Sequence, residues 1–509
     1  MLSLFRFSFP LVVVLHAVRM VSAQSPGCPD YSAYSQQPHS PFSAGKYNLS
    51  YQRPPIACRT FTLPAVESTI ARLNTTIKDP DLFRLFENTY PNTLDTAVKW
   101  KGYANDSREE QAFIITGDIN AMWLRDSSSQ LHTYAPLLTP SISSSSLASL
   151  YRSVINTQSQ YILTSPYCNA FQPPPSSSLS PTTNTQTDTV YPPYNTSIVY
   201  ECKFELDSLA AYLRLVSDYH NSTSDLTFFA SSSTFLPTLN TIMAVATNMT
   251  TSTYSPDGSV NASPYTFTRL TTRASETLEN NGLGNPVANL TGANGGLIRS
   301  SFRPSDDATI FQYLIPSNLM FASYLSAAAS IVSALNQSVL ATQMSTLSST
   351  IYSGVHNHGL TTTAATNGTP IYAYETDGYA SYNVMDDANI PSLLSIPLYT
   401  SPLSSSLSPA LYTSTRTALL SPTTNPYFMA GPIISAIGGP HDGPGFAWPM
   451  ASIVRITTSE DVDEIVGQLK QLLSSTDGLG TFSWANGLFG QMILDLESRF
   501  PEILGMSFQ

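Results

Sequence analysis

The sequence predicts one large all-α domain, because apolar residues recur at helical spacing through most of the chain. Val66, Ile70, Leu73 and Ile77 step by four, three and four residues, so they form one face of a helix. The same spacing recurs in four later segments: 206–216, 320–335, 462–472 and 484–496. Loops rich in Ser, Thr and Pro separate these helices, as is typical of surface excursions from one scaffold. The pattern favours an α-barrel, although periodicity alone does not separate a barrel from a helical solenoid.

Two helix starts are predicted from capping residues. Asp79 followed by Pro80 predicts an N-cap and a first helical position, opening a helix that runs through Asn88. Thr458 stands three residues before Asp461, which is the spacing of a capping box. We therefore expect Thr458 to cap the helix that covers 462–472.

The composition excludes two classes of partner. Apolar residues make up 42% of the 509 residues, so the chain can bury a sizeable core. Charged residues make up only 11%, and the net charge is −12. Nucleic-acid binding needs a basic face, and so does attachment to an anionic membrane. We therefore expect neither a nucleic acid nor a membrane as a partner.

The N-terminus is typical of an exported protein. Arg6 precedes a short apolar run over 7–15, and small residues precede a predicted cleavage site after Ala23. A membrane span needs about 20 apolar residues, so this run indicates a signal peptide. Ten N-x-S/T sequons agree with export. They begin at Asn48, Asn74, Asn105, Asn195, Asn221, Asn248, Asn261, Asn289, Asn336 and Asn367. We predict a glycoprotein that is secreted or resides in the secretory pathway lumen.

Four cysteines predict two disulfide bonds in an oxidising compartment. Cys28–Cys58 and Cys168–Cys202 are the favoured pairs of the three possible pairings, because each bond would staple a loop rich in Pro and Ser. The cysteine spacing fits no zinc site. His356 and His358 form a possible metal pair, but no third ligand cluster accompanies them. We therefore expect no metal and no cofactor.

Five segments concentrate most of the tryptophans and a large part of the charged residues of this weakly charged chain. They are 116–127, 302–307, 374–378 with 385–389, 441–450 and 482–486. Sugars require this mixture, because their CH faces pack on aromatic rings while their hydroxyls bond to Asp, Asn and Arg. Glycosidic hydrolysis also needs two carboxyl groups. Asp306 and Asp307 stand beside Arg303, so one of the two pKa values can rise into the range of a general acid.

Each motif taken alone has a simpler structural explanation. An Asp-Asp pair is more often a helix start or a solvated turn. Asp118 and Asp126 are typical helix caps, and a tryptophan is more often a core residue than a sugar platform. No single motif therefore decides the function.

Taken in order, the motifs resemble those of glycoside hydrolase family 125, the metal-independent exo-α-1,6-mannosidases. The matching segments are 116–127, 200–207, 296–318, 374–393, 445–450 and 484–489. The resemblance spans roughly residues 60 to 503. It implies an (α/α)6 barrel of the six-hairpin glycosidase type over residues 60–509, following a signal peptide over 1–23 and an N-terminal extension over 24–59.

The resemblance also implies an activity and a set of site residues. The activity is removal of non-reducing α-1,6-mannose from mannan or N-glycans with inversion and without a metal. Asp306 or Asp307 is the implied general acid, with Asp306 favoured. The implied sugar-binding residues are Asp118, Trp123, Arg125, Asp126, Arg303, Glu375, Asp377, His441, Trp448 and Trp484. The oligomeric state stays open.

One departure from the family pattern bears on activity. Family members carry a His-Glu-Ser segment shortly before the Trp-Ala-Asn match, and its Glu is the expected general base. This chain lacks that segment, and no Glu lies between Glu464 and Glu497. We therefore expect a chain that binds mannosides but is nearly inactive. A non-catalytic mannoside-binding member, or another (α/α)6 hydrolase such as a glucosidase or trehalase, is the alternative.

Overall fold

The computed structural model describes residues 27–269, 278–280, 284–291, 295–399, 408–441, 443, 445–475 and 482–509. Its α-helices are α1 (Tyr31–Tyr34), α2 (Pro64–Thr76), α3 (Pro80–Thr89), α4 (Leu124–His132), α5 (Leu147–Thr164), α6 (Leu206–Thr223), α7 (Leu226–Ser231), α8 (Phe235–Asn248), α9 (Ile315–Ala334), α10 (Ser338–His358), α11 (Ile396–Tyr399), α12 (Pro409–Leu419), α13 (Pro449–Thr457), α14 (Val462–Ser475), α15 (Ser483–Arg499) and α16 (Pro501–Leu504). The predicted signal peptide lies outside the described residues.

The helices pack in two layers around one core. Helices α4, α6 and α9 are buried on nearly every side, and α4 packs between α6 and α15. Outside them lie helices that bury one face only, such as α8, α10, α12 and α14. The pairs α9–α10, α5–α6 and α13–α14 each join an inner helix to an outer one. This arrangement confirms the predicted α-barrel.

The helices begin largely where the sequence predicts. The stripe from Val66 to Ile77 lies on α2, and the Asp79 carboxylate caps α3 by accepting the backbone N–H of Leu82 at 3.0 Å. The prediction that Thr458 caps α14 is wrong. The Thr458 hydroxyl donates to the Val454 carbonyl of the preceding helix at 2.8 Å.

Asp461 takes the capping role at the start of α14. Its carboxylate accepts the backbone N–H groups of Asp463 at 2.9 Å and Glu464 at 3.3 Å. The cap is therefore the fourth residue of the proposed box, because Thr458 is already used to end α13.

Helix α9 is the most apolar of the long helices in the described chain. By length and composition it is also the one described helix that would fit a membrane span, with 78% of that stretch buried inside the fold. Its neighbours α6 and α10 cover it on two sides. Burial on all sides, rather than one apolar stripe, accounts for its hydrophobicity.

Short antiparallel sheets, which the helical pattern did not predict, lie at the ends of the inner helices. Their strands are β1 (Val98–Tyr103), β2 (Glu110–Ile114), β3 (Met122–Trp123), β4 (Ala170–Phe171), β5 (Asp188–Tyr191), β6 (Val199–Glu201), β7 (Thr266–Arg269), β8 (Leu278–Asn280), β9 (Tyr313–Leu314), β10 (Leu360–Thr361), β11 (Ile371–Tyr372), β12 (Glu375–Thr376), β13 (Tyr382–Asn383), β14 (Phe428–Ala430) and β15 (Ser435–Ile437). The sheets are β1–β2, β3–β4–β6, β5–β7–β8, β9–β12–β13, β10–β11 and β14–β15. Strand β3 leads directly into α4, and β9 leads directly into α9. The sheets therefore fix how the chain enters the inner helices.

Both favoured disulfide bonds are present in the structure, which confirms the predicted pairing. Cys28–Cys58 closes the N-terminal extension. Cys168–Cys202 joins the residue before Asn169 to the residue before Lys203, and the Lys203 N–H donates to the Asn169 side chain at 3.0 Å. The second bond therefore holds the Asn169 side chain against the backbone that leads into α6.

Candidate active site

A polar cavity of about 420 Å³ opens where the inner helices begin. Several predicted site residues line it together: Asp118, Trp123, Arg125, Asp126, Asp306, His441 and Trp448. Trp123 precedes α4 and Trp448 precedes α13, so helix starts that are far apart in sequence supply its wall. Segment 183–186 forms another part of the wall. We call this space the polar cavity.

A larger groove of about 840 Å³ lies between α9 and α10. Its lining consists of Ser, Thr, Ala and Gly residues, without a charged or aromatic side chain. Carboxyl groups and aromatic rings are what sugar chemistry needs, so the smaller polar cavity is the candidate site.

Arg125 is the centre of a cluster of carboxylates at the cavity floor. Its Nη1 lies 2.6 Å from Glu205 Oε2 and 3.3 Å from Asp207 Oδ2. Its Nη2 lies 3.1 Å from Asp306 Oδ1 and 3.2 Å from Asp126 Oδ2. These five residues are the Arg125 cluster. One cation faces four carboxyl groups, so the cluster cannot hold all four ionised without a large electrostatic cost.

The pKa shifts within the Arg125 cluster follow from this excess of carboxyl groups. Burial raises the pKa of Asp126 to about 7 and that of Asp207 to about 6. Burial also raises the pKa of Glu205 well above its usual range. For Asp306, burial acts in the same direction, but Arg125, a hydrogen bond from Glu205 and the charge of Lys203 together lower its pKa. Protonated carboxyl groups and an ionised carboxylate therefore lie next to each other in the Arg125 cluster.

The structure separates the two adjacent acids of the predicted catalytic pair. The Asp306 side chain is 20% exposed and lines the polar cavity, whereas the Asp307 side chain is 2% exposed and lies behind the cavity wall. Asp306 takes a left-handed backbone conformation with φ of 65°, which turns its side chain away from that of Asp307. Asp307 Oδ1 lies 3.6 Å from His441 Nδ1.

His441 is a cation at neutral pH. Its contact with Asp307 raises its pKa to about 9, against the opposing effect of burial. Its side chain is 47% exposed and lines the polar cavity. A protonated imidazole donates hydrogen bonds but accepts none, so His441 is suited to bind hydroxyl oxygens and not to act as a base.

Three buried polar atoms of the cavity lining lack a hydrogen-bond partner within the protein. They are the indole nitrogens of Trp123 and Trp448 and the Oδ2 atom of Asp126. A buried polar group without a partner costs about 1–3 kcal/mol. These residues make the cavity wall polar as well as aromatic, which suits a ligand rich in hydroxyl groups.

The sequence profile described as metal-independent α-mannosidase, GH125, matches residues 79–494. The chain belongs to this family. Its helical barrel is thus the (α/α)6 fold of an α-mannosidase, as the motifs predicted. Within the described residues, no three His, Cys, Asp or Glu side chains are grouped so as to hold a metal ion.

Two known proteins are similar over most of the mannosidase chain. The Schizosaccharomyces pombe protein named meiotically up-regulated gene 157 protein is 42% identical over 505 residues, covering 94% of each chain. A Streptococcus pneumoniae metal-independent α-mannosidase, solved in a non-productive substrate complex with α-1,6-mannobiose, is 28% identical with a TM-score of 0.69. That alignment covers 88% of this chain and 99% of the bacterial chain.

Four of the predicted sugar-binding residues do not line the polar cavity. Arg303 and Glu375 form a buried ion pair, with 2.7 Å between Nε and Oε1. Glu375 also accepts the backbone N–H of Ile310 at 3.1 Å, so the pair braces the loop that carries Asp306. Asp377 accepts two backbone N–H groups in its own turn. The prediction that these three bind sugar directly is therefore corrected to a supporting role.

Trp484 lies beneath the cavity and not on its wall. Its ring is 5.6 Å from the Arg125 guanidinium, and its side chain is almost fully buried. Its neighbour Phe482 lines the cavity instead. Trp484 therefore supports Arg125 by a cation–π contact and does not offer a platform to a sugar.

Several polar and charged residues of the site were not predicted. Glu205 and Asp207 belong to the Arg125 cluster, Lys203 lines the cavity, and Asn169 donates to Glu205 Oε1 at 3.1 Å. A signal was present in the sequence, because segment 200–207 places four charged residues close together in a chain with few charges. The sequence contains no such signal for Asn169, because Asn169 reaches Glu205 only when the two disulfide-linked segments lie side by side.

Asp126 does not stand at the distance from Asp306 that an inverting mechanism needs. The Asp126 Oδ2 to Asp306 Oδ1 distance cannot exceed about 6.3 Å, since the two atoms lie 3.2 and 3.1 Å from one nitrogen of Arg125. An inverting pair is about 6.5–9.5 Å apart. Asp126 therefore lies on the acid's side of the site. Asp477, the nearest carboxylate to the missing segment, is outside the described residues.

Proposed function

We propose that the polar cavity is the sugar site of an inverting exo-α-1,6-mannosidase and that Asp306 is its proton donor. The observation that carries the proposal is the position of Asp306, partly exposed in the cavity and in contact with Arg125, while Asp307 is turned behind the wall. The complex of the bacterial relative with α-1,6-mannobiose supports the substrate class. Mannan or N-glycan chain ends are the natural substrates that fit this class.

The cavity residues divide into an ionic floor and a hydroxyl-binding wall. Arg125 and Asp306 form the floor at which the glycosidic oxygen would be protonated. Trp123 and Trp448 line the cavity and offer aromatic surface to the sugar. His441 adds a charged donor. Binding and proton donation are therefore supplied by different residues, so the two can be measured separately.

Calorimetric titration tests the proposed substrate class without needing turnover. The protein is expected to bind α-1,6-mannobiose but not maltose, because its family is that of the α-mannosidases and its bacterial relative was solved with α-1,6-mannobiose. Binding should survive EDTA. D306N should retain mannobiose binding but remove proton donation, whereas the neighbouring D307N should change donation little and weaken binding through His441. Binding of maltose with similar affinity would support the glucosidase alternative and contradict the proposal.

We also infer that the chain is an exported glycoprotein. Nine of the ten sequon asparagines are exposed and Asn261 is half-buried, so glycans have access to all ten. None of the ten lines the polar cavity, so glycans would not block it. The two disulfide bonds also support an oxidising compartment.

Peptide N-glycosidase treatment of the protein from its natural source tests export. We expect the apparent mass to fall stepwise during partial digestion, because several sequons carry glycans. The protein should also begin at Gln24 after signal cleavage. An unchanged mass together with an intact Met1 would contradict export, while mannobiose binding would be unaffected by either result.

A further inference from the structure

We propose that Asp387 is a positioning residue that holds the proton donor Asp306 in place through Ser305 and orients the Asn389 amide in the wall of the polar cavity. The proposal rests on the proposed function for the identity of the donor. The position of Asp306 itself is a property of the free protein and can be measured without substrate.

Asp387 is buried directly behind two residues that line the polar cavity, Ser305 and Asn389. Its Oδ2 atom accepts the Ser305 hydroxyl at 2.8 Å. Its Oδ1 atom accepts the backbone N–H of Asn389 at 3.0 Å and the Asn389 side-chain amide at 3.1 Å. One carboxylate oxygen therefore serves the loop that carries Asp306, and the other serves the cavity wall.

The Ser305 contact supports a turn in an unfavourable conformation. Asp306 has a φ of 65°, which a residue with a side chain keeps only where its neighbours hold it. Two backbone bonds close the turn from within. The Asp306 N–H donates to the Arg303 carbonyl at 2.9 Å, and the Arg303 N–H donates to the Asp307 carbonyl at 2.7 Å. From outside, Asp387 holds the turn at the residue that precedes Asp306.

The Ser305 hydroxyl has one hydrogen to donate, and two carboxylates lie near it. Asp387 Oδ2 is 2.8 Å from the hydroxyl oxygen, and Asp307 Oδ2 is 3.4 Å from it. The shorter contact takes the hydrogen, so Ser305 is bound mainly to Asp387. Release of Ser305 would move the next residue, Asp306, whose Oδ1 lies 3.1 Å from Arg125 Nη2.

Asn389 depends on the same carboxylate for its orientation. Its side-chain nitrogen carries two hydrogens, of which Asp387 Oδ1 accepts one. An amide both donates and accepts hydrogen bonds, so in the cavity wall it suits a sugar hydroxyl. The backbone of Gly439 packs against the carboxylate, because a Cβ there would lie 3.3 Å from Asp387 Oδ2. Asp387 therefore has little room to turn.

Two nearby residues provide matched controls. Asp386 is the adjacent buried acid, but its carboxylate accepts the backbone N–H groups of Leu393 at 2.8 Å and Leu394 at 2.9 Å. Thr309 places a buried hydroxyl in the loop that carries the donor, but this hydroxyl donates to the Ser300 carbonyl at 2.9 Å. Variants at these two positions disturb the same region without touching the contacts of the proposal.

Crystal structures of free variants test the position of Asp306 without substrate. S305A lacks the hydroxyl, so the turn should relax and the Asp306 carboxylate should move out of hydrogen-bond distance of Arg125. D387N should have a similar effect, because one amide oxygen cannot replace both carboxylate oxygens. T309V should keep the contact. If Asp306 keeps both its φ angle and its Arg125 contact in S305A, the proposal is wrong.

Dependence on the leaving group tests the consequence for turnover. α-1,6-Mannobiose needs a proton on its leaving oxygen, whereas a dinitrophenyl α-mannoside does not. S305A and D387N should each lower the ratio of kcat/KM for mannobiose to that for the aryl mannoside about 10–10²-fold. Because both act through one contact, the double variant should lower the ratio no further. D386N and T309V should leave it unchanged. Equal losses on both substrates would show a merely structural role and overturn the proposal.

Calorimetric titration with mannobiose separates the two roles of Asp387. D387N and N389A should each weaken binding about 10-fold, as the loss of one hydrogen bond does, while S305A should bind almost as the wild type does. Unchanged binding by D387N would contradict the role assigned to Asn389. D306N distinguishes the two levels of inference. If D306N does not lower the ratio for the two substrates, the proposed function fails, while the crystal structures still decide whether Asp387 positions Asp306.

Discussion

Release of mannose from α-1,6-mannobiose is expected to be about 10²–10⁴-fold slower with this chain than with its Streptococcus pneumoniae relative, which is a metal-independent α-mannosidase. Inversion needs a base on the far side of the sugar from Asp306. Asp126 is too close to Asp306 to serve. Glu201 is engaged by Arg269 at 2.7 Å and Lys203 at 3.4 Å. These two cavity carboxylates are therefore poor substitutes for a base.

The missing segment would enter the cavity wall if it were present. Helix α14 ends at Ser475 and α15 begins at Ser483, whose N–H donates to the Thr116 carbonyl at 2.8 Å. Thr116 and Phe482 both line the polar cavity. A Glu carried by a longer connection would therefore arrive next to Asp118, which the Thr116 hydroxyl holds at 3.1 Å.

Azide tests whether the slow step is the missing base. Azide needs no base, so it should attack C1 of an aryl α-mannoside and give the β-mannosyl azide faster than water gives mannose. The bacterial relative, assayed in parallel, should gain little. D118N and D477N are the matched variants, since each removes one carboxylate near the gap. Sequencing the transcript shows whether a short coding stretch is absent from this sequence.

An ordinary turnover rate by this chain would contradict the prediction. The variant that then removes activity, D118N or D477N, would identify the carboxylate that acts as base. Azide would in that case rescue only that variant. If neither variant loses activity, the base is a carboxylate outside the connection between α14 and α15.

The sequence predicted the fold and the location of the site better than the roles of individual residues. Helical spacing located α2, α6, α9, α14 and α15, because burial of one or more faces leaves a period in the sequence. Arg303 and Glu375 were expected to bind sugar, since a carboxylate beneath a cavity and one within it look alike in a motif. Only the structure distinguishes the two cases, because it shows Arg303 Nε 2.7 Å from Glu375 Oε1 in a buried ion pair.

Contacts between distant segments set the parts of the site that the sequence did not predict. Glu205 lies 80 positions from Arg125 and meets it only because α4 and α6 pack together. Asp306, and not Asp307, faces the cavity because Asp306 has a positive φ angle. That backbone angle cannot be predicted from two adjacent Asp residues. The sequence pattern therefore predicts which residue types are grouped at the site. The packing of the helices determines which of these residues face the ligand.

Replacement of Arg125 by methionine is expected to cost about 3–5 kcal/mol of folding free energy, as loss of one partner from a buried ion pair does. Methionine keeps the volume and the contact with Trp484, but it leaves four carboxyl groups without their cation. R125K is the matched control, because it keeps the charge and loses the forked geometry. Urea unfolding measures both variants, and mannobiose binding should be lost in R125M.

The pH dependence of this loss separates charge from packing. A carboxyl whose pKa is raised by folding binds its proton more tightly in the folded state, so stability falls as pH rises from its unfolded pKa of about 4 towards its folded pKa. In the wild type, Asp126 with a pKa of about 7 and Asp207 with about 6 set this slope. Without Arg125 these pKa values rise further, so R125M should lose more stability at pH 8 than at pH 5. An equal loss at both pH values would show that packing around Trp484, and not the Arg125 charge, holds the site together.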